Sequence, residues 1–208
     1  FDPVNLRGEC YANPLDPGGE RGENVFHQAF KFFYVWDVPF LKNANNWAAK
    51  ILGGWQFSGN GAFYSGSPLN VTTNDWNYDG VGNDRPDRVG PVRYQTGDLG
   101  QYIDPSAFAA PGDGTNHDTF GNLRRNSVFG PGSWNVDMAA LKNFRITESK
   151  YFQFRFEAYN VFNHPILNNP NLFFGVSDAT GAPNNSSFGT ITSKRGNRLT
   201  QFGLKFYF

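Results

Sequence analysis

Thr200-Gln201-Phe202-Gly203-Leu204-Lys205-Phe206-Tyr207-Phe208 reads in steps of two. Phe202, Leu204, Phe206 and Phe208 fall on one side; Gln201, Gly203, Lys205 and Tyr207 fall on the other. Successive side chains of a β-strand point to opposite faces, so the stretch predicts a ribbon with one apolar and one mixed face. A soluble domain gains little from an aromatic end of this kind. A strand in a membrane wall needs an apolar lipid face and a polar lumen face, and this alternation supplies both.

Four other runs repeat the pattern. Phe26, Gln28, Phe30, Phe32, Tyr34 and Trp36 alternate with His27, Ala29, Lys31, Phe33, Val35 and Asp37, until Pro39 ends the run. Trp55, Phe57, Gly59, Gly61 and Phe63 stand opposite Gln56, Ser58, Asn60, Ala62 and Tyr64, with Leu69 and Val71 continuing past Pro68. Trp134, Val136, Met138 and Ala140 oppose Asn135, Asp137 and Ala139. After the polar turn Ile146 to Lys150, Phe152, Phe154, Phe156 and Ala158 alternate with Gln153, Arg155, Glu157 and Tyr159, a hairpin signature. The expected fold is all-β: an antiparallel, barrel-type meander of about five long strands in a single β domain over 1–208.

The connections carry a second pattern. Residues 1–24 are rich in Pro and Gly and read as an N-terminal loop. The connections at 41–49 and 145–150 are short, whereas 72–133 is a long loop insert and 163–197 a second long loop. A loop of about 60 residues is unusual inside a compact domain and suggests functional structure or an insert with its own hairpins. Barrels of the outer membrane alternate short periplasmic turns with long extracellular loops, which would put the C-terminus on the periplasmic side. A soluble β-sandwich would show polar outward faces and fewer aromatic residues.

Composition agrees. Of 208 residues 17% are aromatic, with 22 Phe, and only 17% are charged, with a formal net charge of zero. That balance gives no electrostatic case for nucleic acid. No run approaches the roughly 18 apolar residues of a transmembrane helix, which does not bear on strands. Cys10 is the single cysteine, so an intrachain disulfide is excluded. The opening residues carry no signal-peptide pattern and read like the interior of a longer protein.

One local constellation suggests chemistry. Asp75-Trp76-Asn77-Tyr78-Asp79-Gly80 places oxygen ligands at alternate positions before a glycine, the first half of a calcium loop. Val81 would lend its carbonyl, and Asn83 or Asp84 a further oxygen. The twelfth position, where a bidentate Glu belongs, is Pro86, so this is not an EF-hand. The same residues also read as an Asx-rich turn in a solvated loop. Arg155 and Glu157 form either a lumen-lining pair or a self-satisfied polar ladder. His27, His117 and His164 have no metal spacing, and no nucleophile motif or phosphate loop is present, so no enzymatic function is expected.

Several segments resemble one family. Tyr34-Val35-Trp36-Asp37-Val38-Pro39-Phe40, Gly53-Gly54-Trp55-Gln56-Phe57-Ser58-Gly59 and Ser65-Gly66-Ser67-Pro68-Leu69 are similar to the C-terminal part of TonB-dependent outer-membrane receptors, particularly the Oar-like, carboxypeptidase-regulatory-like group. Gly82-Asn83-Asp84-Arg85-Pro86, Asp104-Pro105-Ser106-Ala107-Phe108, Asn135-Val136-Asp137, Lys142-Asn143-Phe144 and Phe162-Asn163-His164-Pro165 continue the series in order across 25–208. The resemblance implies a nutrient-uptake barrel in the outer membrane, contacting its lipid.

Such transporters use about 22 strands around a plug, so five strands are incomplete as a barrel on their own. Two open edges would then pair with the missing remainder of a barrel or with copies of the chain. The second case gives a homo-oligomer or an extracellular fibre.

Overall fold

The computed structural model describes residues 28–40, 51–80, 82, 84–95 and 99–208. The loop 1–24, Cys10 and His27, and the whole 41–49 connection, lie outside the described residues. The strands are β1 (Ala29–Asp37), β2 (Trp55–Tyr64), β3 (Pro68–Leu69), β4 (Asp87–Arg88), β5 (Phe108–Ala109) and β6 (Val128–Phe129). They continue with β7 (Ser133–Arg145), β8 (Tyr151–Tyr159), β9 (Ile166–Leu167), β10 (Lys194–Arg195) and β11 (Leu199–Tyr207). Short 3-10 turns lie at Leu99–Gln101 and Pro105–Ala107.

The five long strands form one antiparallel sheet in the order β1-β2-β7-β8-β11. Each pairs with the next long strand in the chain, the meander that alternation predicts, and the sheet does not close on itself. Its register keeps the faces uniform. Phe32 opposes Gly61, Gly61 opposes Val136, Ala140 opposes Phe156, and Phe156 opposes Phe202. A slip of one residue at any pairing would throw aromatic rings onto the polar face, so pattern and register enforce each other.

Two compact units result. The strand unit comprises 28–64, 133–166 and 194–208; the loop unit includes 65–132 and 167–193. One unit thus carries the long strands and the other is made mostly of the two long loops.

Alternation past Pro68 does not extend β2. Pro68 and Leu69 leave the sheet and pair with Phe129 and Val128 inside the loop unit. Pro68 lacks the N–H that continued pairing in the ladder would use. Its neighbour Val71 is fully buried in the loop unit's core with Trp76, Ile103, Val128, Phe174 and Val176.

That core gathers buried apolar side chains from a sequence that shows no periodicity. Phe108, Phe174 and Phe188 meet edge to face or tilted, with centroids 5.1–5.8 Å apart. Such pairs add about 0.5–1.5 kcal/mol beyond area burial. Asp104 caps the Pro105–Ala107 turn by accepting from Ser106 N at 3.0 Å. Burial, with Tyr94 beside it, pushes the Tyr102 phenol up to about 12, so Tyr102 stays neutral.

Candidate functional site

The two faces of the five-stranded sheet differ in chemistry. On one, Phe30, Phe32, Tyr34 and Trp36 of β1 lie beside Trp55, Phe57 and Phe63 of β2. Trp134, Val136, Met138, Ala140 and Phe144 follow on β7, then Phe152, Phe154 and Phe156 on β8. Phe202, Leu204 and Phe206 complete the face on β11. Many of these side chains are exposed, Phe202 by 72% and Leu204 by 68%. A continuous apolar face of this breadth marks a membrane or interaction surface.

Two glycines let the rings lie flat. The Phe32 ring covers Gly61, where an added Cβ would stand 2.3 Å from a ring carbon. At Gly59 a Cβ would meet the Asp137 carbonyl oxygen at 2.5 Å and the Tyr34 ring at 2.9 Å.

Lys142 breaks the apolar series. It is only 4% exposed; its Nζ donates to the Gly53 carbonyl and stands 5.5 Å from the Phe144 ring centroid. A lysine can run its stem along apolar surface while its head finds a polar partner at the end of the strand.

The opposite face carries a polar network. Arg155 Nε pairs with Glu157 Oε1 at 2.7 Å, and Gln201 Nε2 donates to Glu157 Oε2. Asp137 Oδ1 accepts from Asn135 Nδ2 and from Asn160 N, each at 2.8 Å, while Asn60 Nδ2 reaches Oδ2 at 3.5 Å. Gln56 donates to Asp37 at 2.9 Å, and Gln153 to Asn143 at 3.1 Å. The cross-strand pairs among them, Asn60–Asp137, Gln56–Asp37, Gln153–Asn143 and Gln201–Glu157, stabilise a sheet by roughly 0.2–1 kcal/mol each. Arg155 and Glu157, both read from the sequence as inward, therefore stand in a shared network. Asp137, Asn60 and Gln201 were not singled out, because the chain separates the Asn60–Asp137 and Glu157–Gln201 pairs by 77 and 44 positions.

Asn160 ends β8 in a left-handed conformation, φ 51°. Its Nδ2 donates to His164 O at 2.9 Å and to Gly196 O, and its Oδ1 accepts from His164 N at 2.9 Å. His164 stacks on Trp134 with centroids 4.0 Å apart. This knot fixes the β8 exit without assembling a metal site.

The loop unit holds the sequence-predicted calcium ligands. Asp84 Oδ2 accepts from Trp76 N at 2.7 Å and Asn77 N at 3.2 Å. Asp75 Oδ2 accepts from Gly80 N at 3.1 Å, and Asn77 and Asp79 bond to each other. Burial raises the Asp84 carboxyl above its ordinary value, against the two backbone N–H bonds that lower it; Asp79 and Asp75 add to the rise. Asp75 Oδ1 is buried without a hydrogen-bond partner. Val81 and Asn83 lie outside the described residues. Among the described residues no group of three His, Cys, Asp or Glu side chains is gathered to hold a metal ion. The oxygens present mostly serve an Asx-turn network built around Trp76, whose ring is fully buried.

Beside that loop Tyr78, at φ 54°, stacks on His117 with centroids 4.5 Å apart, and His117 in turn lies 4.4 Å from Trp76.

A family model described as an outer membrane beta barrel domain matches residues 4–201. The chain belongs to this family. It is an outer-membrane β-barrel protein, and the apolar face is the side of the sheet suited to lipid. No curated protein and no solved structure matches it.

Proposed function

We propose that this chain is the C-terminal wall segment of a TonB-dependent outer-membrane receptor of the Oar-like group, acting in nutrient uptake without enzymatic chemistry of its own. The observation that carries the reading is the sorting of five strands into a mainly aromatic face and a mainly polar, hydrogen-bonded face. The ordered series of motifs from Tyr34 to Pro165 supplies the narrower assignment. Uptake genetics tests it. Disrupting the gene and disrupting the energy-transducing TonB gene should abolish uptake of the same nutrient, and the double mutant should be no worse. Uptake that survives either disruption overturns the receptor assignment.

A second reading is self-assembly. It is favoured by β1 and β11, the outer strands of the sheet, which have no further strand partner among the described residues. Unpaired edges template pairing with another chain. Filaments or closed rings in electron micrographs of detergent-free protein would support assembly; protein that stays dispersed only in detergent would exclude it.

Calcium at the Asp75 loop is a separate proposal. The unpartnered Asp75 Oδ1 and the crowding of charge at Asp84 favour it, since a cation would relieve both.

A further inference from the structure

The chain as a whole is neutral, but its charge is unevenly placed along the strand unit. Residues 179–208 carry Lys194, Arg195, Arg198 and Lys205 and no carboxylate side chain. Lys194, Arg195 and Arg198 gather where the chain enters β11, all three exposed. Among the described residues none of them has an acidic partner. Arg198 gives its backbone N–H to Asn163 Oδ1 at 3.1 Å and one guanidinium N–H to Val161 O at 3.4 Å, leaving the rest of its planar fork open. Of the carboxylates in the strand unit, Asp37 and Glu148 lie at the short-turn end, and Glu157 is paired with Arg155. Asp137 meets only neutral donors, so its negative charge stands uncancelled, but it points to the polar face two strand spacings, roughly 10 Å, from β11. Three cations against one carboxylate leave this end of the sheet positive.

Strand length sets the depth of the cluster. β8 and β11 have nine residues each. At about 3.4 Å per residue and a tilt of about 45°, they rise roughly 21 Å, close to the apolar band of about 25 Å on a barrel wall. The band therefore ends near Tyr159 and Leu199, which pair across the two strands. Arg198 adjoins Leu199, and Lys194 and Arg195 follow within one further turn of chain, bent at Gly196 (φ 93°), whose carbonyl accepts from Asn160 Nδ2. The headgroup layer beyond the hydrocarbon is about 5–8 Å thick, and lysine and arginine stems reach back into it. At the same end Phe162 is 64% exposed and meets Trp134, which stacks on His164 and Phe63. Rings at this level suit the acyl–headgroup boundary.

Open cations beside an exposed aromatic face fit a ligand whose anionic group is joined to hydrocarbon. A phosphate accepts the arginine fork on two oxygens, and in a lipid it lies at the depth of this cluster. A soluble acidic protein would answer the cations and leave the rings uncovered. We propose that Lys194, Arg195 and Arg198 form a docking site for the phosphate of anionic lipid headgroups in the leaflet on the long-loop side, with Phe162 seated on the acyl chains. The proposal goes beyond the receptor assignment and rests only on the barrel family, so a failure of the uptake genetics leaves it standing.

The test uses the full chain in phosphatidylcholine vesicles doped with spin-labelled phosphatidylglycerol or spin-labelled phosphatidylcholine, with heat-modifiable gel mobility recorded on the same samples. The immobilised fraction should favour phosphatidylglycerol, by up to about fivefold for each cation engaged. The preference should fall in high salt, vanish when all three residues are changed to Gln, and survive Arg195→Lys with Arg198→Lys. Lys205→Gln, which removes a charge near the other end of β11, should leave it unchanged. If the triple variant lacks the heat-modifiable form, Lys194→Gln and Arg195→Gln singly should each lower the preference. Equal retention of the two lipids overturns the inference, as does a preference indifferent to these Gln variants or equally lost in Lys205→Gln. A preference abolished by millimolar inorganic phosphate at constant ionic strength assigns the cluster to free anions and overturns lipid docking. Capture of polyglutamate without any lipid preference assigns it to an acidic protein and does the same.

Discussion

Gly59 and Gly61 show how single positions are dictated by a neighbour. Both lie on the aromatic face where a side chain would be expected, and both are occupied from across the strand pair, by the Tyr34 and Phe32 rings. At Gly61 the obstacle is the far end of a ring that can rotate away; at Gly59 it includes the Asp137 carbonyl, which belongs to the ladder. Overpacking costs about 1–3 kcal/mol, so Gly59→Ala should fall at the upper end and Gly61→Ala at the lower. Urea unfolding in lipid vesicles measures the difference, and equal losses would contradict the contact geometry.

Asp84 is governed by a different residue-scale force. Burial favours its protonated form, so its contribution to stability is complete below the ordinary carboxylate value of about 4. That contribution declines as pH rises through the raised value. Asp104 and Asp113, held low by Ser106 and by Thr115 and Asn116, work in the opposite sense. Their contributions hold above the ordinary value and are lost as pH falls through the lowered ones.

Asp84→Asn keeps an acceptor for Trp76 N and Asn77 N while removing the charge. In chelator the variant should unfold at a higher temperature than the parent near pH 7, by a margin that shrinks as pH falls to 4. If calcium binds the loop, millimolar calcium should raise the melting temperature of the parent and leave the variant unmoved. A parent insensitive to both calcium and chelator counts against the ion.

Within each element the decisive property is which face a residue occupies. β8 carries Arg155 and Phe156 side by side. The first is paired with Glu157 on the polar face; the second meets Phe202 at 5.0 Å on the aromatic face. An arginine moved by one position would enter hydrocarbon. Phe156→Arg should cost about 2–4 kcal/mol in a bilayer, as charges on a lipid face do near the midplane. Gln153→Arg, on the polar face, should cost less than about 1 kcal/mol. Unfolding titrations in vesicles measure both, and similar penalties would mean that the aromatic face does not meet lipid.

For the molecule as a whole, the legibility of the sequence follows contact range. Period-two alternation revealed all five long strands, because strand geometry imposes it locally and needs no partner. The hairpin turn at Ile146–Lys150 was equally visible, closed by Ile146 N to Lys150 O at 2.9 Å. The polar network was half visible: alternation placed Asp137 and Glu157 on the polar side, whereas their partners Asn60 and Gln201 depend on register between strands remote in sequence. The loop unit's core was hidden, since Trp76, Phe108, Phe174 and Phe188 come from irregular backbone with no repeat to read. The Asp75 loop was legible as a cluster of oxygens. Their assignment to backbone N–H groups followed from the way the chain folds back from Asp84 onto buried Trp76.

Local alternation was therefore enough to specify all-β architecture and the division of its faces, because both depend on side-chain direction along one strand, and the tight turn at Ile146–Lys150 added the antiparallel hairpin. Which residues meet across strands, and that two long loops share a core, came only from the tertiary structure. Those contacts join positions whose separation along the chain carries no signal of their proximity.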